Sequence, residues 1–398
     1  MSATTARGVA LVYSDAMAAY RFSESHPMNP ERLRLTARLI SELDVLGRTD
    51  SRVLEPYVAE DDQLHAVHSA AYVEAVKRAS GPDGEPIPEL GLGTEDDPIF
   101  EGMHVASARL FGGSLVAAEA VLADRGVPAV NFGGGMHHAA RAHAGGFCIY
   151  NDAAGAIARL LENGVERVLY LDLDAHHGDG TQAIFWDEPR VLTVSLHESG
   201  RSLYPGTGFA AETGGEKAPG SAVNVALPAG TGDGGWLRAF HAVVPAVARA
   251  FAPEVIVSQH GCDGHERDEL TNLRLSVDGQ RQNALDVAEL ARELCENRWI
   301  ATGGGGYDVL STVPRTWTHL VAAASGRPLA LRTPVPEPFR EHVRQRYGAD
   351  FPALMGEDAQ LWWRSWEVGY DPADPVDRAI MATRREVFPG LGLDPWFD

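Results

Sequence analysis

In the run LYLDLDAHHGDG, Asp172, Asp174 and His176 follow one another at a spacing of two. On a β-strand that spacing puts all three on one side while Leu171 and Leu173 face the other, so three metal ligands or proton carriers gather at one strand end before a glycine turn. A hydrolytic metal site needs three protein ligands and one open position for water, and carboxylate and neutral imidazole both serve. Asp174 and His176 supply two. The third must come from another strand end, where Asp263 in VSQHGCDGH is the best placed; His260 and His265 are rivals on spacing alone.

Two adjacent histidines, His137 and His138, follow a glycine-rich turn in NFGGGMHHAARAHAGGFCIYND. Imidazoles suit proton transfer near neutral pH, and each needs an orienting carboxylate; Asp172 and Asp179 are left for that once Asp174 goes to metal. In ATGGGGYDVL four glycines precede Tyr307. The run lacks the Gly-Lys-Ser/Thr ending of a phosphate loop. It reads instead as a turn that delivers a phenol able to donate to a developing oxyanion.

These groups need rigid elements beneath them. Apolar runs near Val130, Leu169, Val194, Ile256 and Ile300 are strand-like, and each ends in Gly, Asp or His. Alternating with helical segments, they predict an α/β fold with a parallel sheet, helices on both faces and a site at the carboxyl ends of the strands. A first long helix is expected from Pro30 to Gly47 with Leu33, Ala37, Ile40 and Leu43 on its apolar side, and a first strand within MSATTARGVALVYSD, which does not read as a signal peptide. GPDGEPIPELGLGTEDDP, from Gly81, reads as a long loop, a lid or rim. Beyond Leu331, Pro334, Pro336 and Pro338 come close together and Trp362, Trp363, Trp366 and Trp396 crowd into a tail too aromatic for disorder.

With 44% hydrophobic and 22% charged residues over 398 positions, the chain is globular. The 34 basic against 55 acidic residues give a net charge of -21, which repels a nucleic-acid backbone and excludes nucleic-acid binding as the main role. Cys148, Cys262 and Cys295 are too few and too scattered for a disulfide framework. No stretch is expected to reach the roughly 20 apolar residues of a membrane helix, so a cytoplasmic protein is expected.

HPMNPERLRLT, GGGMHHA, GFCIYND, DLDAHHGDGTQ, SLH, YPGTG and GGGGY occur in this order between about His26 and about Trp317. As a set they resemble the zinc-dependent histone deacetylase family, most closely its bacterial acetoin-utilisation branch. The resemblance implies an arginase-like α/β fold with a central eight-stranded parallel sheet, and a narrow tunnel leading to zinc. It implies Asp174, His176 and Asp263 as the zinc ligands, in preference to His260 or His265. It implies His138 backed by Asp179 as principal general base and acid, His137 backed by Asp172 as electrostatic partner, and Tyr307 as oxyanion donor. Gly146 and Phe147 match the tunnel wall, Leu270 its rim, Asp96 the rim carboxylate that accepts substrate amides, and Arg32 an arginine of the channel for departing acetate.

The family also binds potassium, which here implies one site at Asp172, Asp174, His176, Ser195 and Leu196 and a second around Phe185, Glu188 and Val191. Tyr204 stands before Pro205 where many members have phenylalanine, adding a hydroxyl to the tunnel wall. Residues 1–330 match the catalytic domain; 331–398 lie outside the pattern, an extension expected to pack on that domain or on a partner subunit, a homodimer included.

The activity implied is hydrolysis of Nε-acetyl-lysine to lysine and acetate, with acetyl-coenzyme A synthetase as the protein substrate in acetoin and acetate metabolism. The net charge and the acids Glu95, Asp96 and Asp97 favour a cationic substrate surface, which suits acetylated polyamines equally. An acetylpolyamine amidohydrolase is therefore the nearest alternative, and a catalytically silent acetyl-lysine-binding scaffold the alternative from another class.

Overall fold

The computed structural model describes residues 8–398. Its strands are β1 (Ala10–Val12), β2 (Arg52–Leu54), β3 (Ala129–Asn131), β4 (Val168–Asp172), β5 (Val191–Glu198), β6 (Ala222–Leu227), β7 (Val255–Gln259) and β8 (Trp299–Thr302). They form one parallel sheet in the order β2-β1-β3-β8-β7-β4-β5-β6. The central strands are near-continuous apolar runs because helices cover both faces, which leaves no solvent side for alternating polar residues. The five expected runs are β3, β4, β5, β7 and β8. By contrast β2 and β6 carried no sequence signal strong enough to single out; β2 is a three-residue edge strand whose side chains are largely exposed.

At the carboxyl edge of the sheet the register aligns Asn131 with Thr302, Thr302 with Gln259, Gln259 with Asp172 and Asp172 with Ser195. A polar row thus crosses five strands of an otherwise apolar sheet, and it marks where the core ends and the site begins.

The helices are α1 (Glu31–Glu42), α2 (Asp61–His65), α3 (Ala70–Ala79), α4 (Met103–Ala123), α5 (Asp152–Glu162), α6 (Asp179–Ile184), α7 (Asp233–Phe251), α8 (Val277–Leu294), α9 (Thr312–Ala324), α10 (Glu337–Tyr347) and α11 (Pro375–Val387). The first ends sooner than expected, because Leu43 caps it and Asp44 turns at φ 50. Its buried face is Leu33, Leu35, Leu39 and Ile40, so Ala37 and Leu43, expected on that face, lie at its margin.

One expectation needs correcting: α4 is long and apolar enough to cross a membrane by length and composition alone. It is apolar all round because β1, β3, β8, α3 and α5 surround it, and most of its surface is buried in the core. Strand β1 falls in the run expected for a first strand; the reading against a signal peptide rests partly on residues 1–7, which lie outside the described residues.

In the tail, α10 packs on α1, and α11 packs on β6 and α7. Arg238 of α7 pairs with Asp377 of α11 at 2.5 Å and lies over the Trp366 ring. Trp366 is buried and Trp363 stacks on His241, whereas Trp362 and Trp396 are exposed.

Candidate active site

The loops after β3, β4, β7 and β8 meet above the polar row. After β3 the chain passes through three glycines to the histidines. Gly135 has φ 97, and a Cβ there would lie 2.5 Å from the Gly303 carbonyl oxygen, so glycine lets the loops after β3 and β8 touch. Buried Asp152 fixes this turn by accepting the amides of Gly135 at 2.9 Å and Met136 at 2.8 Å and the Ser114 hydroxyl at 2.5 Å.

His137 Nδ1 lies 2.8 Å from Asp172 Oδ2, and His138 Nδ1 lies 2.7 Å from Asp179 Oδ1, with ring centroids 4.0 Å apart. Burial and the neighbouring His137 push His138 down to about 4. Burial opposes charge on His137 as well, yet Asp172 and Asp174 overcome it and raise that imidazole to about 9. The two imidazoles are thus shifted in opposite directions, which lets different groups take the base and the electrostatic roles.

Strand β4 ends at Asp172, so Asp174 and His176 stand in the loop beyond it and not, as their spacing implied, on one side of a strand. They converge all the same. His176 Nδ1 is 3.1 Å from Asp174 Oδ1 and 2.8 Å from Asp263 Oδ2, and one donor atom from each of the three lies within 4.8 Å of the others. Gln259 and the Gly305 amide hold Asp174 Oδ2 at 2.7 and 2.8 Å, and the Ala175 amide holds Asp263 Oδ1 at 3.0 Å.

Both carboxylates are fully buried, and among the described residues no Lys or Arg forms an ion pair with either. Burial, with Asp174 beside it, pushes Asp263 above the usual carboxylate range. Two buried acids facing one imidazole fit a divalent cation, and two oxygens with one nitrogen suit zinc. The rivals lie elsewhere: His260 Nε2 bonds Ser258 Oγ at 2.8 Å, and His265 faces Glu357 at 3.0 Å.

A cavity of about 200 Å³ opens beside the triad, and Asp96, Gly146, Phe147, Tyr204, Leu270, Tyr307 and both histidines line it. Gly146 (φ 53) is required because a Cβ would lie 2.3 Å from the His138 ring. Phe147 has φ 69, rare for a bulky residue; its carbonyl accepts the Tyr20 hydroxyl at 2.7 Å and its ring meets that of Tyr307 edge-on at 5.7 Å. Burial, then Asp263 and Asp174, hold the Tyr307 phenol far above its ordinary value, so it stays a donor. Tyr204 stands edge-on to His138 at 5.0 Å and is 45% exposed, at the mouth.

Arg32 does not line the cavity. It lies behind the glycine run, with Nη1 donating to Gly304 O at 2.8 Å and its guanidinium over Trp317. The acidic rim is smaller than expected. Glu95 and Asp96 are exposed, but Asp97 turns inward toward the amides of Phe147 and Cys148, and burial raises its carboxyl to about 8.

Of the expected potassium residues, Ser195 lies in register with Asp172 and bonds His197 Nδ1 at 2.8 Å, with buried Leu196 next to it. Phe185, Glu188 and Val191 bound two successive turns, in which the Glu188 amide donates to Phe185 O and the Val191 amide to Glu188 O. Arg190 occupies the Glu188 carboxylate. Sequence reasoning missed Gln259, Asp152, Asp268, which accepts the Tyr307 amide at 2.8 Å, and Met28 and Leu203, which also line the cavity. Gln259 alone had a readable signal, a polar residue ending a buried strand.

A family model described as "Histone deacetylase domain" matches residues 26–324. The chain belongs to the histone deacetylase family. Within that family it is 39% identical over 388 residues to the acetoin utilization protein AcuC of Bacillus subtilis (strain 168), an alignment covering 96% of this chain and 98% of that one. It is 38% identical over 322 residues to the AcuC of Staphylococcus aureus (strain MSSA476), covering 80% and 82%. The crystal structure of an HDAC homolog complexed with SAHA superposes with a TM-score of 0.81 at 28% identity, covering 94% of this chain and 100% of that one. The protein is accordingly a hydrolase of deacetylase type in the AcuC-like branch, with an arginase/deacetylase-like α/β fold.

Proposed function

We propose that the protein is a zinc-dependent lysine deacetylase that hydrolyses Nε-acetyl-lysine to lysine and acetate. The observation that carries this reading is the pair of imidazoles, His137 and His138, each hydrogen-bonded through Nδ1 to its own carboxylate beside the Asp174–His176–Asp263 triad. Zinc held by those three residues supplies Lewis acidity toward the acetyl carbonyl and the attacking water. His138, neutral and held through Nδ1, takes the water proton and returns it to the leaving amine. His137, whose proton is favoured against burial by Asp172 and Asp174, stabilises the negative charge that develops, and the Tyr307 hydroxyl donates to the oxyanion.

Phe147, Tyr204 and Leu270 exclude water along the lysine stem, and Asp96 at the mouth accepts substrate backbone amides. Arg32 belongs to the exit path of acetate in this reading, and potassium at the two expected sites stiffens the loops after β4 and α6. Residues 1–330 act as the catalytic unit with 331–398 as its extension. In this reading the protein substrate is acetyl-coenzyme A synthetase in the cytoplasm; the likeness to AcuC proteins supports a role in acetoin utilization.

The test is turnover of an acetyl-lysine peptide against an acetylated polyamine by one zinc-loaded sample. Preference for the peptide is expected. Preference for the polyamine moves the protein to the amidohydrolase alternative, and turnover of neither leaves the silent scaffold.

A further inference from the structure

Glu357 lies outside every sequence motif above, on the segment beyond residue 330. Residues 331–335 and 353–356 run antiparallel, with the Val335 amide donating to Ala353 O at 2.9 Å and the Met355 amide to Thr333 O at 3.0 Å. This antiparallel pairing, which flanks α10, presents Glu357 to the rear of the loop after β7. Asp278, fully buried at the start of α8, accepts the Glu357 amide at 2.9 Å and the Ala359 amide at 2.8 Å. A Cβ on Gly356 would come within 2.7 Å of the same carboxylate, so the approach needs glycine.

The Glu357 carboxylate accepts from Arg315 Nη2 at 2.6 Å, from the Val277 amide at 3.0 Å and from His265 Nε2 at 3.0 Å. Burial opposes its ionisation, but His265 and Arg315 bring the carboxyl down to about 2. His265, with no exposed surface, is fastened at several points. Its amide donates to Cys262 O at 3.2 Å, its Nδ1 accepts the Arg267 amide at 3.2 Å, and its carbonyl accepts the Asp268 amide at 2.9 Å. Asp268 in turn accepts the Leu270 amide at 3.1 Å and the Tyr307 amide at 2.8 Å. Bonds therefore run without a gap from Glu357 through His265 and Asp268 to the backbone of Tyr307. That backbone follows Gly304 at φ 151 and Gly306 at φ 143, a stretch with little conformational preference of its own, so Tyr307 sits where its partners hold it.

We propose that Glu357 is a positioning residue for Tyr307, setting the phenol in the cavity through His265 and Asp268. A structural contribution of the tail alone would not follow this route. The inference rests on the reading of Tyr307 as the oxyanion donor.

The test compares the full-length wild type with Glu357→Gln. Amide hydrogen exchange at Tyr307 and across residues 262–270 is expected to accelerate about tenfold or more, the signature of local opening. In turnover of an acetyl-lysine peptide, kcat is expected to fall about tenfold with KM little changed, and in a Tyr307→Phe background the same substitution is expected to have almost no further effect. Unchanged exchange at Tyr307, or the same fold-loss of kcat in both backgrounds, overturns the proposal. If Glu357→Gln does not fold, Glu357→Asp, which keeps the charge but withdraws it by one methylene, is read by the same two criteria. Absence of wild-type turnover overturns the functional reading instead, and the exchange comparison then decides the positional link by itself.

Discussion

At the scale of single residues, the site works by burial that each group answers differently. Tyr307 keeps its proton because burial and two acids disfavour the phenolate. Tyr307→Phe is therefore expected to lower kcat by on the order of 10²–10³, as loss of one oxyanion donor does elsewhere, with bound zinc unchanged by metal analysis. Near-wild-type turnover would remove Tyr307 from the chemistry. Asp97 gives a pH signature with a definite sign. Its carboxyl rises from an ordinary 3.8 to about 8 on folding. Below the lower value both states carry the proton; between the two only the folded state does, so this group's contribution to stability is lost as pH rises through that window. Asp97→Asn is expected to flatten the pH dependence of thermal unfolding over that range and to stabilise the protein at pH 8 by on the order of a few kcal/mol. Identical profiles would contradict the buried neutral acid. Asp174, His176, the histidine pair and Tyr307 were legible in the sequence because their residue types follow apolar runs or glycine turns in distinctive spacings, whereas Asp263 was separated from His260 and His265 only by the family resemblance. Asp97 was misread as rim, since nothing in TEDDP tells which of three acids faces inward. Asp268 and Glu357 were missed because their partners lie far away in sequence.

Elements matter here for how closely their ends can approach. A Cβ on Gly305 would lie 2.1 Å from Asp263 Oδ2 and 3.0 Å from Asp174 Oδ2, so the glycine run forms one wall of the Asp174–His176–Asp263 cluster as well as the path to Tyr307. Gly305→Ala is expected to weaken zinc binding by at least ~10–100-fold in competition with a chelating dye, the scale seen when groups around metal ligands are disturbed. Wild-type affinity would show that the loop yields freely. The strands that frame this wall were readable from their apolar runs, whereas β2 was not, because an exposed edge strand leaves no hydrophobic pattern. Helix α4 was passed over in the sequence, although it is apolar over a membrane-spanning length. Burial on every side erases the polar face by which a helix of a water-facing protein is usually told from a membrane span.

The whole molecule adds a field to these local contacts. With a net charge of -21 and Glu95 and Asp96 exposed near the mouth, kcat/KM for an acetyl-lysine peptide flanked by lysines is expected to fall severalfold between about 0.02 and 0.5 M salt, while a neutral peptide changes little. Equal salt dependence would place recognition in the cavity alone. The order of the sheet has a further consequence, for the birth of the protein. Strand β8 lies between β3 and β7, so it joins β2-β1-β3 to β7-β4-β5-β6, and it is the last strand along the chain. Until Trp299–Thr302 leaves the ribosome, the nascent chain can hold only two half-sheets, each with a bare hydrogen-bonding edge open to strangers. The keystone that joins the two half-sheets is followed within five residues by Tyr307, so the strand that closes the inner edges also brings the phenol to the cavity.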